Sequence, residues 1–231
     1  MAGAYSRARD YRPPMALTGM NWQMARHDHG GSGHHHEHRD QHGNPEDLEA
    51  YLARLEDPSR AQWQKPDEVI AALSLKETDV VAEIGAGPGV FTLHLAPKVR
   101  QVYAVEVEPR IITVLRDRID RAKATNVTPV LGLPGDPLIG EGTCDWVVVV
   151  NAFHHFPEPV AYLKRLSAAL KPGGRIANID FHQRELPVGP PSGHKVARED
   201  FLAMAQNAGL EVIAEPAFLP YQYFFVLRPR A

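Results

Sequence analysis

This 231-residue chain holds a single cysteine, Cys144, so an internal disulfide is excluded. Its place before the apolar run "DWVVVV" suggests a small buried thiol rather than a reactive one. No run approaches the ~20 apolar residues of a spanning helix, and the first thirty residues contain no apolar block of signal-peptide length. A soluble cytoplasmic protein without a membrane span is expected. Net charge is also small: 25 Lys and Arg against 28 Asp and Glu leave −3. That gives no general attraction to phosphate backbones or anionic lipid, and nucleic acid is not an expected partner.

What is present is enough apolar material, 44% of residues, for one sizeable core with trimmings. Residues 1–44 show neither a 3.6 nor a 2.0 period and read as a disordered, His-rich tail. Seven of the twelve histidines lie in "HDHGGSGHHHEHRDQH". Neutral imidazoles at that density can capture a transition metal, and part of the run resembles an affinity tag. Glu37, Arg39 and Asp40 interrupt it, and a flexible tract lacks the fixed geometry of a metal site, so no specific metal is expected.

Residues 45–77 read as a helical cap. In "NPEDLEAYLARLED", Asn44 suits an N-cap and Pro45 a first helical position, while Leu48, Tyr51, Leu52 and Leu55 form one stripe. A second helix is expected from about Pro66, with Val69, Ile70 and Leu73 inward. From 78 to 231 the pattern alternates. Strand-like runs "VVAEI", "VYAVEV", "NVTPVL", "DWVVVV" and "RIANIDF" are separated mostly by amphipathic helices, and two closing strands follow "REDFLAMAQNAG". The expectation is an α/β fold: a mostly parallel sheet with helices on both faces, ended by a hairpin.

The chemistry concentrates at "VAEIGAGPG". Ligands of open parallel sheets bind beyond the carboxyl ends of the strands, and this turn follows the first strand of the series. Gly85, Gly87 and Gly89 remove β-carbons so that a ligand can lie against the backbone, and the following helix aims N–H groups at it. Glu83 adds a carboxylate able to hold an ammonium group, directly or through water, so the ligand implied is zwitterionic. Glu106, at the end of the second strand, is spaced to accept two ribose hydroxyls. An amino acid joined to a nucleoside describes S-adenosylmethionine.

The segments "VVAEIGAGPG", "VYAVEVEP" and "LKPGGRIANID" resemble the class I S-adenosylmethionine-dependent methyltransferases, over about residues 60–228. The resemblance implies a Rossmann-like seven-stranded sheet in the order 3-2-1-4-5-7-6, with strand 7 antiparallel. It implies methionine-moiety binding by Glu83, Gly85, Gly87 and Gly89, ribose binding by Glu106, and adenine contacts from Val107 and Asp136. Trp63 and Gln64 in "WQKPDEVI" resemble a lid over the cofactor; helix packing explains Trp63 equally.

The fourth strand exits through "NAFHHFPEP". Asn151 stands there and is grouped with the cofactor-binding residues; His154 and His155 are the candidate general bases. Capping or packing of the following helix is the competing role for each. The Pro- and Gly-rich connection after the fifth strand carries His182 and His194 and could cover an acceptor pocket. Tyr221 and Tyr223 alternate and should face one side of the last strand. The exit lacks the Asn-Pro-Pro-aromatic turn of exocyclic-amine nucleic-acid methyltransferases, and one cysteine fits poorly with thiol-bound metalloid substrates. The resemblance is to quinone- and small-metabolite-type enzymes, so a small organic acceptor is expected. A nicotinamide-dependent oxidoreductase shares the strand-glycine-helix unit but wants glycine where Val90 stands. A non-catalytic methyltransferase-like scaffold, using the histidine tail to bind metal, is the other alternative.

Overall fold

The structure is a computed structural model that describes residues 47–230. The His-rich tail, Asn44 and Pro45 lie outside the described residues. The first helix, α1, runs Leu48–Leu55, and Asp47 caps it by accepting the Ala50 N–H at 2.9 Å. Its apolar stripe is half-buried: no residue of α1 is fully buried. Helices α2 (Ala61–Gln64) and α3 (Pro66–Leu73) follow. Lys65 separates them in the left-handed region at φ 47°. There its N–H donates to the Ala61 carbonyl and closes α2 with a left-handed cap, and Pro66 starts α3 at a first-turn position that needs no N–H.

Seven strands form one sheet: β1 Val80–Ile84, β2 Gln101–Glu106, β3 Val127–Leu131, β4 Cys144–Val150, β5 Leu170–Phe181, β6 Leu210–Ala214 and β7 Gln222–Pro229. Their order is β3-β2-β1-β4-β5-β7-β6. Pairs within β1–β5 are parallel, and β7 runs antiparallel to both β5 and β6. Between them lie α4 (Val90–Leu95), α5 (Pro109–Ala122), α6 (Pro159–Ala168) and α7 (Arg198–Asn207). The parallel strands need crossovers and so bury both faces. On one face Val81, Val148 and Ile179 pack with Phe91, Leu95 and Leu115 of α4 and α5. On the other, Ala82, Val147 and Phe225 pack with Leu163, Leu166 and Phe201 of α6 and α7.

Two features differ from the expected boundaries. β5 begins five residues earlier than its apolar run, because Leu170 pairs with Cys144 before a register shift; "KPGG" lies inside the strand. Tyr221 lies one residue outside β7 and turns to Trp63, ring centres 6.3 Å apart, while Tyr223 packs on Phe201. The two tyrosines therefore do not share neighbours. Among the described residues no helix is long and apolar enough to cross a membrane.

Cys144 is fully buried, and burial pushes its thiol up to about 12. At pH 8 the thiolate fraction is then on the order of 10⁻⁴. An aromatic disulfide reagent is expected to titrate no thiol in the native protein and one per chain in denaturant. Rapid stoichiometric labelling of the native protein would contradict this placement.

Candidate active site

The turn after β1 has three glycines at positive φ: 73° at Gly85, 54° at Gly87 and 91° at Gly89. They are not equivalent. A β-carbon on Gly85 would lie 2.5 Å from Ala152 Cβ, and one on Gly89 would lie 2.6 Å from Leu115 Cδ1. Those two positions are closed by the protein's own packing, against the exit of β4 and against α5. At Gly87 the same carbon would meet, among the described residues, only Leu55 Cδ1, at 3.6 Å. The middle glycine thus opens onto space that the other described residues leave clear, and a side chain there would fill it.

Two carboxylates flank that space. Glu106, at the end of β2, accepts from the Gly87 N–H at 2.9 Å, the Val107 N–H at 2.7 Å and the Glu108 N–H at 3.0 Å. Three backbone donors hold it in place, and a carboxylate has about four lone-pair sites. Glu83 is 3% exposed and accepts a hydrogen bond from Thr92 Oγ1 in α4. Burial pushes its carboxyl up to about 8, opposed by the Thr92 bond and reinforced by the nearby Glu106 charge. Without a cation beside it, the group holds a proton at neutral pH.

Beyond β2 and β3 the surface is apolar: Val107, Leu131, Leu133 and Leu138 are all exposed large side chains. Asp136 lies among them in a tight loop where Leu133 and Asp136 exchange backbone hydrogen bonds. Its Oδ1 accepts from the Leu138 N–H at 2.8 Å, and Oδ2 lies 3.5 Å from Arg165 Nε. The loop position leaves the carboxylate half-exposed beside the apolar rim.

The cap lies over the glycine turn. Besides Leu55 at Gly87, Glu56 of the α1 C-terminus pairs with Arg118 at 2.6 Å, and Arg118 also donates to the Pro88 carbonyl at 3.2 Å. Tyr51 is close enough to Glu106 for that carboxylate to add to the effect of burial in raising its phenol pKa. Trp63 is buried, with its ring 5.6 Å from Phe181 at the end of β5. Gln64 is buried beside it in sequence.

At the β4 exit the two histidines separate. His154 is held by Asp180 of β5: its backbone N–H donates at 3.1 Å, and Nδ1 lies 2.8 Å from Asp180 Oδ1. An ionised carboxylate only accepts, so Nδ1 carries the proton and Nε2 offers the lone pair. The His154 side chain is 5% exposed and that of Asp180 fully buried. His155 is exposed, its ring 4.1 Å from that of His154. Asn151 occupies the left-handed region at φ 53°, and its Oδ1 accepts from Gln222 Nε2 at 2.8 Å.

His182 is half-buried, 5.9 Å from the Tyr223 ring, and burial lowers its pKa. His194 sits in a short turn, Ser192–His194. Their connection folds back on β5. Lys195 Nζ donates to the Arg184 carbonyl at 2.7 Å, and the Gly189 backbone lies against the Phe181 ring. Residue types alone gave no sign of Thr92, Asp180 or Gln222 as members of the site. Among the described residues no group of three or more His, Cys, Asp or Glu is placed to hold a metal ion.

With this geometry in view, three comparisons bear on identity. A family model described as a methyltransferase domain matches residues 82–176. The chain is 46% identical over 66 residues to a probable ribosomal RNA small subunit methyltransferase A of Methanosarcina barkeri, 29% of this chain and 22% of that one. It is 26% identical over 181 residues to the protein of that name from Methanosphaera stadtmanae, 75% of this chain and 64% of that one. Both matches span less than two thirds of the relative. A crystal structure of a SAM-dependent methyltransferase from Aquifex aeolicus superposes with a TM-score of 0.73 at 24% identity, over 77% of this chain and 96% of the other. The fold is shared.

Glu83 makes the site's stability pH-dependent, with a sign set by its raised pKa. Below about pH 4.5, the unperturbed value, folded and unfolded chains both hold the proton. Between there and about 8 only the folded chain does, so folding stability falls as pH rises, and above about 8 the slope vanishes. The loss amounts to a few kcal/mol, at about 1.4 kcal/mol per unit. Glu83→Gln is expected to flatten this decline in denaturant melts of the cofactor-free protein between pH 5 and 8. An unchanged slope in the variant would refute the buried-acid assignment.

Proposed function

We propose that this chain is a class I S-adenosylmethionine-dependent methyltransferase and moves a methyl group from S-adenosylmethionine to a small organic acceptor. The observation that carries this reading is the open glycine of the turn after β1, Gly87, between two fixed carboxylates. Glu83 and the turn Gly85–Gly89 hold the methionine half. Its ammonium supplies the cation that favours ionised Glu83. Glu106 receives the ribose hydroxyls through its remaining lone pair and by sharing the Gly87 site. Val107 and the apolar rim hold the adenine ring, with Asp136 at its amine.

When bound, the cofactor supplies a methyl group already activated by sulfonium. The protein's task is then to position, to exclude water and to manage one proton. His154 Nε2 receives that proton from the acceptor, and Asp180 fixes the tautomer and stabilises the imidazolium that results. Asp180 is a positioning residue. His155, being exposed, shapes the rim. The cap of residues 45–77, through Tyr51, Leu55 and Trp63, screens the site from water.

The relatives named for ribosomal RNA raise RNA as a second acceptor class. A net charge of −3 and a strand exit reading Asn151-Ala152-Phe153-His154 support the small acceptor instead. A screen with methyl-labelled cofactor against small phenols, amines, thiols and carbon acids, run beside ribosomal RNA, separates the two. Labelling of a small acceptor is expected. Label found only in RNA would refute the small-acceptor reading.

On the acceptor so found, His154→Ala is expected to lower kcat by about 10²-fold or more with cofactor affinity kept. Asp180→Asn should also lower kcat, leaving KM near its wild-type value. Near-wild-type turnover in His154→Ala and in the double variant with His155→Ala would remove the base from this mechanism.

A further inference from the structure

Six buried side-chain polar atoms among the described residues have no hydrogen-bond partner: Arg60 Nε, Asn151 Nδ2, both amide atoms of Asn178, Gln222 Oε1 and Tyr223 Oη. Two of these belong to residues already bonded to each other. Gln222 Nε2 donates to Asn151 Oδ1 at 2.8 Å, yet the reciprocal bond between Asn151 Nδ2 and Gln222 Oε1 is not made. Reversing both amide assignments leaves the same sum, one spare donor and one spare acceptor. Buried amide groups are normally paired, and natural interiors contain few exceptions.

Both residues are fixed by backbone. Asn151 ends β4 at φ 53°, a conformation that asparagine tolerates better than most residues, and its N–H donates to the Ile179 carbonyl at 2.8 Å. Gln222 opens β7 opposite Phe181 and is 3% exposed. Gln222's ladder partner Phe181 and its chain neighbour Tyr221 belong to an aromatic group: Trp63 lies 5.6 Å from Phe181 and 6.3 Å from Tyr221, and the His154 ring lies 6.4 Å from Phe181. The ionisable groups of the neighbouring strand ends, Glu83 and Asp180, are acids, and neither offers a cation to pair with a carboxylate. Lys195, 6.0 Å from the Phe181 ring centre, is engaged by the Arg184 carbonyl. A neutral group offering a hydrogen-bond acceptor beside a donor satisfies both spare atoms; an ester or tertiary amide satisfies one.

We propose that Asn151 and Gln222 form the recognition pair of the acceptor subsite, reading a neutral carboxamide or lactam on a planar aromatic acceptor. This rests on the methyltransferase reading and moves the Asn151 side chain from the cofactor to the acceptor. Trp63, Phe181 and Tyr221 supply the apolar walls against which the ring lies.

The test uses salicylamide and N,N-dimethylsalicylamide as probes, with S-adenosylhomocysteine at saturation, and reads binding to the full chain by ligand-observed NMR and calorimetry. The wild type is expected to prefer salicylamide by about tenfold or more, since the dimethyl compound leaves an acceptor unpaired. Gln222→Met, which keeps volume, and Asn151→Gly, which keeps the backbone conformation, should each bring the two probes within about twofold while S-adenosylhomocysteine affinity holds. Equal binding of both probes by the wild type, no binding of salicylamide, or a preference retained in either folded variant overturns the subsite alone. Failure of S-adenosylhomocysteine to bind the wild type overturns the subsite together with the reading beneath it.

Discussion

The hydrogen bond from the Gly87 N–H to Glu106, 2.9 Å long and spanning 19 residues, ties the turn after β1 to the end of β2. The rest of the site is built outward from it. The same carboxylate holds the Val107 and Glu108 N–H groups, and Glu108 caps α5 by accepting from Arg110 N–H at 3.0 Å. One acid therefore orders the turn, the strand exit and a helix start. Gly85 is pressed on Ala152 and Gly89 on Leu115, which fixes the flanks and leaves Gly87 facing the clear space. The site is preorganised by groups that would be satisfied whether or not a ligand arrived.

The side proposed for the acceptor is organised differently, around buried polar groups. Asp180, with no exposed surface, accepts from the His154 and Phe181 N–H groups and from the His154 ring. A lone charge so buried is expensive unless it is hydrogen-bonded, and here several bonds offset that cost. The Asn151–Gln222 pair is incompletely satisfied, which is costly in a buried setting and fits the recognition role proposed for it. Trp63 links the halves, since the cap that lies over the cofactor turn also packs on Phe181 beside the acceptor pair.

Sequence pattern carried the architecture well where the signal was local. "VVAEI" is β1 to the residue, the amphipathic run "PRIITVLRDRIDRAK" is α5 but for its last lysine, which caps it, and the closing hairpin follows α7. The carboxylates at the ends of β1 and β2 were legible because strand-end position and spacing are one-dimensional properties. Long-range partners were not. His154 and Asp180 are 26 residues apart and Asn151 and Gln222 are 71 apart, and nothing in "RIANIDF" or "LPYQYFFV" says which strand end each will face. Local chemistry also misled in places. The fifth strand-like run reads from Arg175, although the pairing of Leu170 with Cys144 draws "KPGG" into β5.

The central claim is that the space at Gly87 receives S-adenosylmethionine. Calorimetric titration of the full chain with S-adenosylmethionine, with a nicotinamide dinucleotide as comparator, tests it most directly when repeated on Gly87→Val. The account predicts binding of S-adenosylmethionine alone by the wild type, and its loss in the variant with the far-ultraviolet circular dichroism spectrum preserved. Undiminished affinity in Gly87→Val, or preferential binding of the dinucleotide, would contradict it.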